Sequence, residues 1–199
     1  MKIIANLSVI AALLVAALAH TEVKQTPDEE TASAAHDALE PLKLPLVAPR
    51  VRISKSRRRL ELYSDGRLVR EYRVALGKNA VDDKERQGDY RTPEGEFYVC
   101  VKNAASKFYL SLGLSYPNRE DAERGLRDQL ITRAEHDRIV RAVGRGLRPP
   151  WGTALGGEIF IHGGGSASDW TWGCVALDDA DVKELFDAVP KGTPVVIEH

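Results

Sequence analysis

The sequence predicts a mostly β domain with added helices, an α+β fold over residues 50–199. Three observations predict it: short runs of alternating apolar and polar residues on either side of turn signals, one central stretch where the apolar period lengthens to that of a helix, and a globular composition. Of the 199 residues, 43% are hydrophobic and 29% charged, which excludes collagen-like, multi-span membrane and wholly disordered classes. Lys plus Arg number 28 and Asp plus Glu 29, for a formal charge of −1, so a nucleic acid is not the expected partner. Two cysteines, Cys100 and Cys174, are too few for a disulfide framework or a four-cysteine zinc site.

The chain opens with Lys2 and an apolar run, Val9 to Ala19, ending in Ala17-Leu18-Ala19. Residues 1–19 are expected to be a signal peptide cleaved after Ala19. Asn6 and Ser8 leave the run short of the roughly 20 apolar residues of a membrane span, and no cysteine follows to carry a lipid. Residues 20–49 read as a flexible linker: Glu22, Asp28, Glu29, Glu30, Asp37 and Glu40 outnumber Lys24 and Lys43, and Pro41, Pro45 and Pro49 follow. Residues 50–199 then hold 25 basic and 23 acidic residues.

Residues 51–63 and 68–76 predict two antiparallel strands around the turn Ser64-Asp65-Gly66-Arg67. Gly95 to Val101 predicts a third strand and Phe108 to Leu114 a fourth. The period changes after Pro117-Asn118. Arg119 to Gln129 predicts one helix, and Thr132-x-x-Glu135 opens a second, with Ile139, Val140 and Val143 on one side and Gly144, Gly146 and Pro149-Pro150 ending it. This helical insertion, residues 118–146, sits between core strands and is expected to cover a cleft as a lid. Glu158 to His162 and Gly173 to Leu177 predict strands. Val182, Leu185, Phe186 and Val189 share a face of a helix capped by Asp178, and Thr193 to Ile197 closes the domain.

Of five histidines, only His162 ends a strand that reads as buried, and Cys174 opens the next. If these strands pair as a long-loop hairpin, His162 and Cys174 lie opposite each other, with backbones roughly 5 Å apart. An imidazole beside a thiol makes a nucleophile at neutral pH. Gly173 allows backbone N–H groups to approach a tetrahedral oxyanion, and a carbonyl near Gly163 could hold the other ring nitrogen. Cys100, within Tyr98-Val99-Cys100-Val101, reads as a small buried hydrophobe. A Cys100–Cys174 disulfide and a metal held by Cys100, His162 and Cys174 are the competing readings. Gly163–Gly165 lacks the lysine and spacing of a phosphate loop, and Ser166 lacks the second glycine of a nucleophile elbow. Trp170 and Trp172 stand in the loop beside the cysteine, where they could stack on sugar or peptide.

Ile161-His162-Gly163, Thr171-Trp172-Gly173-Cys174-Val175, the Asp181–Phe186 helix, Gly192-Thr193-Pro194-Val195-Val196-Ile197 and the upstream Thr92-Pro93-Glu94-Gly95-Glu96-Phe97 together resemble the L,D-transpeptidase (YkuD-type) catalytic domain. The resemblance spans roughly residues 50–199 and implies a β-sandwich or barrel catalytic domain in the periplasm or cell envelope, acting on peptidoglycan stem peptides in wall biogenesis and cell shape. It implies Cys174 as nucleophile, His162 as general base, the Gly163 carbonyl as its orienter, and the backbone N–H groups of Trp172, Gly173 and Cys174 as oxyanion donors. Thr171, Trp170 and Tyr116 are the substrate-binding candidates. No metal, organic cofactor or obligate protein partner is implied, and a monomer is expected.

Three departures stand against the resemblance, the first being a span from His162 to Cys174 several residues shorter than the family's. Trp172 stands where the family motif has its second histidine, and Ala176 where it has Arg or Asn. Phe108 to Asn118, with the Gly-Cys-x-Ala ending, resembles the YafK-like branch, whose members include envelope hydrolases. The expected function is therefore an exported cysteine acyl-transferase, with an amidase or endopeptidase of the same fold, or a non-catalytic wall-binding domain, as alternatives.

Overall fold

The computed structural model describes residues 40–199. The expected signal peptide and most of the expected linker lie outside the described residues. The folded unit runs from Leu42 to His199, so it starts earlier than residue 50. Leu42 and Leu46 pack against the core, and the Val47 carbonyl accepts from Asp65 N at 2.6 Å. Apolar burial draws the end of the proline-containing segment into the domain.

Eight strands form one sheet in the order β3-β2-β1-β8-β4-β5-β6-β7. They are β1 Arg50–Ser54, β2 Arg59–Ser64, β3 Arg67–Arg73, β4 Gly95–Ser106, β5 Tyr109–Leu114, β6 Phe160–His162, β7 Val175–Ala176 and β8 Pro194–Glu198. Among the described residues three helices accompany them: α1 Arg119–Arg127, α2 Arg133–Gly144 and α3 Asp179–Ala188. The order runs back toward its start. Ala75, just after β3, bridges Ala176 of β7 through two backbone hydrogen bonds of 2.8 Å, and Gly77 bridges Thr171. The sheet therefore curls into a half-barrel. Ile53, Leu60, Leu62, Leu112, Ile161, Val175, Leu177 and Val195 fill its interior at 0% exposure, each contributing about 1.5–3 kcal/mol by removal from water.

The expected run 51–63 is two strands, β1 and β2, separated by a turn over residues 55–58. The turn lacks Gly and Pro, the usual sequence signals. Arg58 takes φ +51° there, held by its guanidinium on the Lys55 carbonyl and on Asp169. The next turn follows expectation, with Asp65 at φ +50° and Gly66 at +74°, the signature of a type I′ hairpin. β4 continues past the expected Val101 to Ser106 because β5 pairs with its far half while β8 pairs with its near half.

α2 has the expected Thr132/Glu135 capping box, and Asn118 with Asp121 forms another on α1. These two helices have their own small core of Ala122, Ile131, Ile139 and Leu155. On α3, Val182 and Leu185 are buried as expected, but Asp178 makes no side-chain cap. Its carboxylate instead accepts from the Ser166 amide and hydroxyl at 2.9 and 3.1 Å.

Candidate active site

The largest correction concerns β6 and β7. They pair in parallel, Ile161 with Val175 and His162 with Ala176, and do not form the expected hairpin. Parallel neighbours need a crossover of about a dozen residues, which the connection from Gly163 to Cys174 supplies. Extending the register places Cys174 level with Phe160, and His162 lies two residues further along the neighbouring strand. Side-chain alternation keeps both on one face, roughly 8 Å apart at Cα from a strand spacing of about 4.8 Å and a two-residue rise of about 6.6 Å. Sγ of Cys174 accepts from Phe160 N at 3.4 Å and reaches Glu158 O at 3.6 Å. Among the described residues no hydrogen bond joins it to His162.

His162 is 3% exposed. Its Nδ1 lies 2.6 Å from the Gly163 carbonyl oxygen, and since a carbonyl only accepts, Nδ1 carries the proton and Nε2 is the basic nitrogen. Phe108 stacks on the ring at 4.6 Å between centroids, and Trp170 meets it edge-on at 5.6 Å. Burial pushes the imidazole pKa below its ordinary value, a shift the Gly163 carbonyl opposes. Burial pushes the Cys174 thiol up to about 11, while the Phe160 N–H and the Lys84 charge act in the other direction. Both shifts favour the neutral pair, thiol and imidazole.

The turn before the cysteine is braced by Thr171, which is 3% exposed. Its hydroxyl donates to Cys174 O at 2.8 Å and accepts from Gly173 N at 3.1 Å. Thr171, expected at the substrate, is thus a turn brace, and the Gly173 N–H, expected as an oxyanion donor, already has an acceptor. The N–H groups of Trp172 and Cys174 meet no backbone acceptor among the described residues. Gly173 sits at φ +125°, and a Cβ there would stand 2.7 Å from Arg91 O.

Trp170 forms one wall, its Nε1 donating to Gly165 O at 3.1 Å. Trp172 is 75% exposed and meets Tyr90 edge-on. Tyr116, expected to contact substrate, is fully buried and donates to Leu155 O; its place in the core takes it away from any ligand. Cys100 and Cys174 are both free thiols. Cys100 is only half-buried, and burial pushes it up to about 11 as well.

Sequence reading missed several supports. Phe108 carried no signal of contact with His162. Asp169 receives Arg58 at 2.7–3.2 Å through Nε and Nη2, together with Leu76 N at 2.8 Å. Asp179 receives Gly164 N at 2.9 Å. Asp178 was legible as a helix start, but not as the residue that ties the glycine-rich connection to α3.

The family profile described as YkuD, the L,D-transpeptidase catalytic domain, matches residues 48–197. The chain belongs to this family. Over 82 residues it is 30% identical to Escherichia coli YafK, named provisionally as an L,D-transpeptidase; the match covers 38% of this chain and 33% of that protein. The chain thus spans about a third of the length of the curated relative it matches. A variant of the helical cell shape determining protein Pgp2 from Campylobacter jejuni superposes with a TM-score of 0.53 at 23% identity, over 76% of this chain and 47% of that one. Bd1075 from Bdellovibrio bacteriovorus gives 0.50 at 20% identity, over 79% and 50%. At these identities the two structures establish the fold, the curled half-barrel of the YkuD family.

Proposed function

We propose that this protein is an exported cysteine acyl-transferase of the cell envelope that acts on peptidoglycan stem peptides. The observation that carries the reading is His162, buried, fixed in one tautomer by the Gly163 carbonyl, and sharing a sheet face with Cys174 in a YkuD domain. Neutral Nε2 takes the thiol proton as Sγ attacks the carbonyl carbon of the third stem residue, a diamino acid. The N–H groups of Trp172 and Cys174 meet the oxyanion. The C–N bond breaks, the imidazolium returns its proton to the departing D-alanine amine, and a thioester remains for an amine acceptor.

A second reading, with water as acceptor, is favoured by Ala176. It is 0% exposed and bonded in both directions to Ala75, so no polar side chain reaches the cleft from the position where the family motif carries Arg or Asn.

The test is mass spectrometry of purified muropeptides and intact sacculi incubated with wild-type protein or Cys174→Ala. Cysteine-dependent cross-linked dimers or exchanged terminal D-amino acids establish transfer. Cysteine-dependent shortening without new links establishes hydrolysis. Identical products from the two proteins refute cysteine chemistry and leave a wall-binding domain.

A further inference from the structure

Several arginines of the domain are committed to carboxylates: Arg52, Arg58, Arg70, Arg91 and Arg124 all lie in salt bridges. The end of α2 and the turn after it differ. Residues 138–148 contain Arg138, Arg141, Arg145 and Arg148 and no Asp or Glu. All four arginines are exposed, and none lies in a salt bridge among the described residues. Glu135 and Asp137, one turn back, partly offset Arg138 and Arg141 without forming salt bridges to them, and no acid stands within four residues of Arg145 or Arg148 in the sequence. The hydrogen bonds of Glu135 go to the Thr132 amide and hydroxyl, and that of Asp137 to His136.

Arg138, Arg141 and Arg145 follow at i, i+3 and i+7, a stripe about 10 Å long on one helix face. Leu147, between Arg145 and Arg148, is 56% exposed. It is held in place by Tyr98, whose hydroxyl donates to Leu147 O at 2.7 Å. The Arg148 guanidinium lies 4.8 Å over the Trp151 ring.

We propose that Arg138–Arg148 is a docking surface for a bilayer bearing anionic phospholipid headgroups, with Leu147 entering the interface between the flanking arginines. The charges run along a helix and do not converge on one point, so they fit a plane of negative charge better than a single bound anion. A presented leucine beside a half-exposed tryptophan adds the apolar contact that a purely ionic partner would not use. The surface also adjoins the candidate active site: Trp151 packs on Phe160 at 5.5 Å, and the Phe160 N–H meets Cys174 Sγ. Docking there would hold the cleft at a set height above the membrane.

The test is sedimentation of the full chain with phosphatidylcholine vesicles, with and without phosphatidylglycerol, comparing wild type, Leu147→Ser and the double variant Arg141→Glu/Arg145→Glu. Every variant keeps the same N-terminal segment, so its contribution cancels. Wild type should bind the anionic vesicles about tenfold better, and lose that preference at about 0.5 M salt. The double variant should lose the preference while melting at the wild-type temperature, and Leu147→Ser should weaken binding without removing its salt dependence. If the double variant fails to fold, Arg145→Gln is the replacement, with the preference expected to fall about threefold. The proposal is overturned by equal binding to both vesicle types, by a preference that the folded charge variants retain, or by binding to heparin with no preference for anionic vesicles.

Discussion

Nδ1 of His162 lies 2.6 Å from the carbonyl oxygen of Gly163, the next residue in the chain. This one contact fixes the tautomer and leaves Nε2 as the only ring nitrogen free to accept a proton. Because burial lowers the imidazole pKa, the ring stays neutral to a more acid pH than an ordinary histidine. The acid limb of kcat/KM should therefore fall below about 6.5. His162→Gln should lower kcat/KM by about 10²–10⁴-fold, with the melting temperature little changed. A pH–rate profile on a stem-peptide substrate checks the limb, and one centred above the ordinary histidine value contradicts the neutral-base assignment.

The thiol behaves in the opposite sense. Burial raises Cys174 to about 11, so at pH 7 about one molecule in ten thousand holds a thiolate. Site-resolved alkylation by iodoacetamide, read by peptide mass spectrometry, should be slow at neutral pH and rise about tenfold per pH unit toward 11. A rate that plateaus below pH 8 would reveal a preformed thiolate–imidazolium pair in the free protein, and proton transfer coupled to attack would then be wrong.

Strands β3 to β8, the capping box at Thr132 and the apolar face of α3 were legible because each rests on local periodicity or a short-range signal, whereas β1 and β2 read as one run because the turn between them lacks Gly and Pro. The placement of Cys174 and His162 at strand ends beside glycine was legible for the same reason. Their relative placement was not. Whether β6 and β7 run parallel depends on how residues 163–174 cross the sheet, and that path is set by Asp178 and Asp179, 12 and 15 residues from the amides they hold, and by Arg58 and Leu76, 111 and 93 residues from Asp169. The burial of Tyr116 likewise depends on Leu155, 39 residues away, and the Lys55–Arg58 turn on Asp169 more than 100 residues on. Long-range polar contacts of this kind leave no periodic trace.

Gly173 carries a strict steric demand. At φ +125°, with a Cβ 2.7 Å from Arg91 O and 3.3 Å from Ile159 Cδ1, alanine meets both backbone strain and a collision with a main-chain atom. Gly173→Ala should cost about 2–4 kcal/mol and abolish turnover. Gly66→Ala is the control: its φ is +74°, but nothing lies within 4 Å of the new Cβ, so the cost should be about 1–2 kcal/mol with activity kept. Urea unfolding of both variants measures the difference, and equal costs would show that φ alone matters at Gly173.

The Asp169 carboxylate performs two tasks that substitution can separate. It accepts Leu76 N at 2.8 Å and pairs with the Arg58 guanidinium through both oxygens, the side chains being 25% and 37% exposed. Asparagine can keep the Leu76 bond but not the charge, and partial exposure screens what is lost, so Asp169→Asn should cost about 1 kcal/mol. Asp169→Ala also strands the Leu76 N–H and should cost about 2–3 kcal/mol. Because Thr171 N donates to Leu76 O on the same segment, the loss should spread into the turn that precedes Cys174. Amide exchange at Thr171 and Gly173 should accelerate in the alanine variant more than in the asparagine variant, and kcat should fall in that same order. Unchanged exchange at those amides, with stability lost all the same, would confine Asp169 to the β1–β2 turn and remove it from the support of Cys174.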